Sequence, residues 1–159
     1  VERFIIGRNM CPFAKAPSLR EGIRYVRCRG ESPEEWLAEL IHECTLLTED
    51  KGPETTLLIL DGRLDLFLDF LDFFDLAEAL IDSSEYGERI QIVSFHPRYC
   101  FEGVPLDDPA NATNQSPFPC IHLLKREDVA KAIASHPDIS QIPRDNIATL
   151  RGDSQEPKD

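Results

Sequence analysis

His96 is the residue best placed to do chemistry in this chain. It follows the run Ile90-Gln91-Ile92-Val93-Ser94-Phe95 and precedes Pro97. The run reads as a strand, apolar enough to sit in the centre of a sheet. In open α/β sheets the carboxyl ends of strands face the ligand crevice. A neutral imidazole there can serve as general base, general acid or ligand. Its structural alternative is to cap the strand end and bond a backbone carbonyl. Proline holds the preceding residue extended, so the direction of the ring is set by the backbone.

The segment after His96 supplies further groups. Residues 97–119 hold five prolines and little periodicity. A loop of that length is uncommon in a compact domain unless it has a role. It carries Arg98, Tyr99, Asp107, Asp108, Asn111, Asn114 and Ser116. These are the candidate ligand-binding residues, with Arg98, Asn114 and Ser116 suited to a polar or anionic substrate. Side chains in such loops also commonly bond their own backbone. His122 lies in the returning strand and is the second candidate for acid–base work, although a strand histidine is more often a satisfied, half-buried one. Cys11, in Asn9-Met10-Cys11-Pro12-Phe13-Ala14-Lys15, is the third catalytic candidate. A thiol near a helix start with a lysine close by can have a lowered pKa; otherwise it is a small buried hydrophobe.

Other chemistries lose support. The five cysteines, Cys11, Cys28, Cys44, Cys100 and Cys120, form neither CxxC nor CxxH. No metal site is expected, and an odd count of scattered thiols fits a reducing compartment. Glycine-rich nucleotide loops, GxSxG and HExxH are absent, which weakens common nucleotide-binding, hydrolase and zincin readings. The residues identify no cofactor. Seventeen basic against 29 acidic residues give a net charge of -12. That field repels phosphate backbones and anionic lipid, so neither nucleic acid nor membrane is an expected partner. A cytoplasmic location is expected, or an organellar one if a targeting segment preceded Val1.

These residues need elements to position them. Strands are expected near 24–29, 55–60, 90–95 and 120–124. Ser32-Pro33-Glu34-Glu35 has the form of a capping box with proline at N1. It opens a helix near 33–48 whose buried face carries Trp36, Leu37, Leu40, Ile41, Cys44 and Leu47. The strongest helix spans Leu64 to Ile81, with Phe67, Phe70, Leu71 and Phe74 at helical spacing. Residues 66, 73, 76, 77 and 80 widen its apolar face, and Asp65, Asp69 and Asp72 line another side, either solvated or reaching a pocket. Shorter helices are expected over 128–135 and 143–150. Strands alternating with helices predict an α/β or α+β fold, a mixed sheet of four to five strands packed by helices. One domain covers 1–151, followed by a polar tail at 152–159.

The chain resembles the uncharacterised domain-of-unknown-function family 1415. The resemblance rests on Ile6-Gly7-Arg8-Asn9-Met10-Cys11-Pro12-Phe13-Ala14, on Thr55-Thr56-Leu57-Leu58 and on Phe67-Leu68-Asp69-Phe70 through Leu76-Ala77-Glu78. It is clearest in Ser94-Phe95-His96-Pro97, Tyr99, Phe101, Gly103, Asp107-Asp108, Asn111, Thr113-Asn114, Ser116-Pro117 and His122-Leu123-Leu124. It covers nearly the whole chain and implies no activity. Cys11-Pro12-Phe13-Ala14 is also similar to the active-site turn of glutaredoxins, with Ala14 where their second cysteine stands. Ser116-Pro117-Phe118-Pro119 resembles their cis-proline turn. Three readings follow: a small-molecule enzyme with its pocket under the His96-Pro97 loop, a binding or assembly module docking through residues 96–119, and a thiol-redox protein acting through Cys11. In the enzyme reading, His96, His122, Cys11 and the 107–116 loop converge on one cleft.

Overall fold

The computed structural model describes residues 22–135 and 142–153. Four strands form one mixed sheet: β1 (Ile23–Arg27), β2 (Thr55–Ile59), β3 (Ile90–Phe95) and β4 (Cys120–Lys125), in the order β1-β2-β4-β3. Helix α1 (Pro33–Thr48) joins β1 to β2, and α2 (Phe67–Asp82) joins β2 to β3. A 3-10 turn at Pro109–Thr113 interrupts the long loop before β4, and α3 (Arg126–Ser135) and α4 (Ile142–Asp153) follow. α4 lies against the 3-10 turn, with Leu150 buried. The α/β expectation with a mixed sheet is met. None of the described helices is long and apolar enough to cross a membrane.

The order of strands explains the layering. β1 and β2 are parallel, and β4 runs antiparallel to both β2 and β3. β1, β2 and β3 therefore run in one direction, and each next one is laid further across the sheet. Crossovers of one hand taken in one direction put their helices on one face. Both α1 and α2 do pack on the same face, and the core lies there. Strand residues Leu58, Ile90, Ile92, Ile121 and Leu123 meet Leu40, Cys44 and Leu47 of α1 and Phe70, Phe73, Ala77 and Ile81 of α2. One expectation is corrected: β3 is an edge strand, because the returning β4 inserts between it and β2.

Local sequence accounts for the helix ends. Ser32 is extended and its hydroxyl accepts from Glu35 N at 3.3 Å, capping α1. The return leg of the expected capping box reaches one residue further, with the Glu35 carboxylate accepting from Glu31 N at 2.7 Å. Trp36 donates its indole N–H to Gly30 O and stands edge-on to Phe73 with centroids 5.4 Å apart, joining α1 to α2. A Cβ on Gly30 would stand 2.7 Å from Glu35 Cβ, so only glycine fits. α2 starts three residues later than its apolar run, because Leu64 takes a left-handed φ of 55°. Its buried ridge is Phe70, Phe73, Ala77 and Ile81. Leu66 and Leu76, expected inside, are 57% and 52% exposed.

Glu43 and Thr56 are buried polar residues on the core face. Glu43 is 2% exposed and receives both Nε and Nη2 of Arg24, at 2.8 and 3.1 Å. Such a bidentate, charge-assisted pair satisfies both carboxylate oxygens. The hydroxyl of Thr56, beside Arg24 in the strand register, is fully buried without a hydrogen-bond partner. An unpaired buried hydroxyl costs roughly 1–3 kcal/mol. Thr56→Val is expected to leave unfolding stability unchanged or raise it by up to about 1 kcal/mol in urea denaturation. A loss of more than that would mean that the hydroxyl has a partner.

Candidate functional site

The alternation of β3 sends Ser94 and His96 to the helix-covered face, and His96 is fully buried there. Its Nδ1 accepts from Arg98 N at 3.0 Å. A backbone amide can only donate, so the ring proton sits on Nε2, which donates to Leu64 O at 3.1 Å. Both ring nitrogens are thus engaged by backbone, and the ring can exchange a proton only by giving up one of these bonds. The rings of Phe67 and Phe70 lie 5.2 Å away on α2, Tyr99 packs on Phe67 at 5.1 Å, and Phe101 on Tyr99 at 5.0 Å. Burial lowers the His96 pKa from its ordinary value; the bond to Leu64 O opposes this and the Arg98 charge adds to it. The Arg98 guanidinium also donates to Asp65 O. His96 and Arg98 together hold the Asp61–Leu66 turn, including strained Leu64.

The long loop is internally bonded. Its return closes on β3 where His96 N donates to Asn114 O and Asn114 Nδ2 to Ser94 O, both at 3.1 Å. Asn111 is 1% exposed; its Oδ1 accepts from Phe101 N and its Nδ2 donates to Pro105 O. Asp108 caps the 3-10 turn by accepting from Ala110 N at 2.9 Å. Ser116 donates to Phe118 O, and Gln115 to Tyr99 O. Arg98 and Asp107 are exposed and Tyr99 is half-buried. The peptide bonds before Pro117 and Pro119 are trans, unlike the glutaredoxin turn they resemble.

His122 faces the other way. Ile121 and Leu123 point to the helices, so Cys120, His122 and Leu124 belong to the opposite sheet face. His122 Nε2 lies 2.6 Å from Thr55 Oγ1, which itself donates to Leu123 O at 2.7 Å. Because the hydroxyl proton is committed to that carbonyl, Nε2–H is the donor to Thr55. Burial lowers the His122 pKa to about 4. Beside it Cys120 is buried, its thiol pushed up to about 11 by the same cause. Sequence reasoning therefore brought His96, Arg98, Tyr99, Asn111 and Asn114 into one neighbourhood, but His96 and His122 point to opposite faces. Cys11 lies outside the described residues. The partners it missed, Leu64, Thr55 and the Phe67–Phe70 pair, are set by contacts distant in the chain.

The turn after β1 is similarly occupied. After β1, the Glu39 carboxylate accepts from Arg29 N and Gly30 N at 2.9 and 2.6 Å. A βα turn of this kind can cradle an anion with its amides; here the chain's own carboxylate does so. An open polar cleft of about 540 Å³, lined by Thr48, Glu49, Asp50, Glu88, Arg89, Lys125 and Glu127, lies at the other end of the sheet and includes no candidate residue. Among the described residues no three His, Cys, Asp or Glu side chains are grouped to hold a metal ion.

A family model described as "Protein of unknown function (DUF1415)" matches residues 1–158. No curated protein and no solved structure matches the chain.

The histidines make a pH prediction. A folded-state pKa near 4 against an ordinary 6.5 for His122 means that the unfolded chain binds more protons between those values. The stability involved is fully present above about 6.5 and is lost as pH falls through about 4. His122→Gln keeps an N–H for Thr55 and removes the titration. The variant should therefore lose roughly 3 kcal/mol less stability than the parent between pH 7 and pH 4. Parallel urea curves across that range measure it; superimposable pH profiles would refute the assignment.

Proposed function

The chain belongs to the DUF1415 family, and on the geometry of its loop-bearing sheet end we propose that it acts as a binding or assembly module. The observation that carries this reading is how the 96–119 loop uses its polar groups. Asn111, Asn114, Asp108, Ser116 and Gln115 are bonded within the loop or to β3. Apolar side chains are turned outward instead: Leu106 is 83% and Phe118 48% exposed. A rigid loop that presents apolar groups loses little conformational entropy on docking. Exposed aromatic and aliphatic anchors on such a scaffold suit a protein partner. His96 contributes here as a positioning residue beneath the surface, while Tyr99 stands at its margin.

A small-molecule enzyme is the second reading, and one observation favours it. His122 has no partner at Nδ1 among the described residues and shares its sheet face with Cys120, whose thiol lies 4.0 Å from Ser116 Oγ. In this reading His122 is the acid or base, with Ser116 as a ligand contact, and the site occupies the face opposite His96. The thiol-redox reading depends on Cys11. No reaction class follows from either.

The test of the binding-module reading is capture of partners by the immobilised full chain, compared with Leu106→Ser and Phe118→Ser. Both positions are exposed, so the variants should melt within a few degrees of the parent. Each is expected to lose a captured partner that the parent holds, with affinity falling about tenfold for roughly 1.4 kcal/mol of lost contact. Undiminished capture by both variants would rule out the loop end. Stabilisation of the parent by a metabolite, lost in His122→Gln, would favour the enzyme reading instead.

A further inference from the structure

We propose that the outward face of α2 receives a basic, apolar-ridged helical segment of a partner protein. This rests on the binding-module reading and names the chemistry of the partner. The inward side of α2 is its aromatic ridge. Its outward side carries Leu68, 73% exposed, and Leu76, 52% exposed, and Leu66 just before the helix is 57% exposed. At 100° per residue, Leu68, Asp72, Asp75, Leu76 and Ala79 fall within an arc of roughly 100°. Leucines and carboxylates therefore share one strip.

The charges of α2 are unusual for a surface helix. Asp69, Asp72, Asp75, Glu78 and Asp82 are its ionisable residues, and none of its residues is basic. Successive carboxylates three apart repel one another, and those in the last turn also oppose the helix dipole. Asp82 has one long, exposed ion pair with Arg126 at 3.6 Å. Asp69, Asp72, Asp75 and Glu78 have none among the described residues. A cationic partner relieves this repulsion while its apolar ridge covers the leucines, and helix-on-helix packing matches the spacing of the strip.

The same features argue against other occupants. Nucleic acid and anionic lipid carry the wrong sign. A second copy pairing through the same face would set carboxylate against carboxylate. The arginines of β1 are not free to serve as its complement: Arg24 is bound to Glu43, and Arg27 to Asp61 at 3.0 Å. The strip is also continuous with the loop end. Phe67, in the first turn of α2, packs on both His96 and Tyr99.

The experiment uses the full chain and a synthetic helical peptide with leucines along one side and lysines beside them. Binding is followed by amide chemical shifts and by titration at several salt concentrations. The expected shifts lie in residues 66–79. Leu68→Ser combined with Leu76→Ser, which leaves the charge unchanged, should weaken binding about tenfold. Asp69→Asn, Asp72→Asn and Asp75→Asn together should weaken it at least as much and flatten the salt dependence. Circular dichroism and melting check that both variants remain folded. Four results would each overturn the proposal: shifts centred elsewhere, binding indifferent to the leucines, self-association of the chain through this strip, or the same shifts produced by phosphatidylcholine vesicles alone. Loss of binding in the α2 variants with none in Leu106→Ser and Phe118→Ser would keep the α2 strip and remove the loop end from the docking surface.

Discussion

Two hydrogen bonds to the ring of His96 hold the loop-bearing end of this sheet in shape. One comes from the amide of Arg98 and the other goes to the carbonyl of Leu64, so a single side chain ties the exit of β3 to the entry of α2. The turn it holds includes Leu64 at φ 55°. A non-glycine residue in that region costs about 1–3 kcal/mol and persists only where its surroundings over-determine it. Buried hydrogen bonds at about 1 kcal/mol each, with aromatic contacts of about 0.5–1.5 kcal/mol, are of the size needed to offset it. The imidazole has the proton-transfer chemistry expected of it in principle, but its two nitrogens are used to fix backbone. What it positions is Phe67, and through Phe67 the exposed leucines around the start of α2.

The insertion of β4 has equally wide consequences. It makes β2 and β4 the central strands, leaves β3 on the edge, and directs successive side chains of β4 to opposite faces. The helix-covered face takes Ile121 and Leu123; the other takes Cys120, His122 and Leu124. Side-chain period in a strand is two, so His122 cannot share a face with Leu123. His96 sits at an even spacing from Ser94 on the covered face. The two histidines are therefore separated by the thickness of the sheet, although their strands are neighbours. Any function assigned to one must be argued without the other.

What could be read from the sequence was whatever local periodicity and capping determine. The strand runs at 55–59 and 90–95, the Ser32 cap, the Trp36–Leu47 face and the aromatic side of α2 all depend on residues a few positions apart. The position of β3 in the sheet was not legible, since apolar content does not distinguish an edge strand that carries a helix on one face from a central one. The late start of α2 was hidden because Leu64, Leu66 and Phe67 continue the apolar pattern; the turn is held by long-range bonds from His96 and Arg98. Glu43 and Glu39 look like solvated charges on an amphipathic helix. Glu43 is buried against Arg24, 19 residues away, and half-buried Glu39 is held by the amides of Arg29 and Gly30, 10 and 9 residues away. The His96 environment was foreseen only as the alternative in which the ring bonds a carbonyl.

These particulars bear on what kind of function the fold can support. An enzyme of the common α/β type leaves amides or side chains uncommitted at the carboxyl ends of its strands, ready for a substrate. Here the amides after β1 are held by Glu39 and Glu35, the imidazole after β3 by backbone, and Asn111 and Asn114 by the loop and the adjoining strand. Each such bond contributes stability and rigidity at that end, and each removes a group from ligand recognition. Among the described residues, the uncommitted features that remain there are apolar side chains and negative charge without an ion-pair partner: Leu66, Leu68, Leu106 and Phe118 with Asp69, Asp72 and Asp75 of α2. Recognition built from those components depends on area, shape and long-range charge. They suit a macromolecular surface better than a small polar substrate, whose binding needs a few directed hydrogen bonds in a concavity.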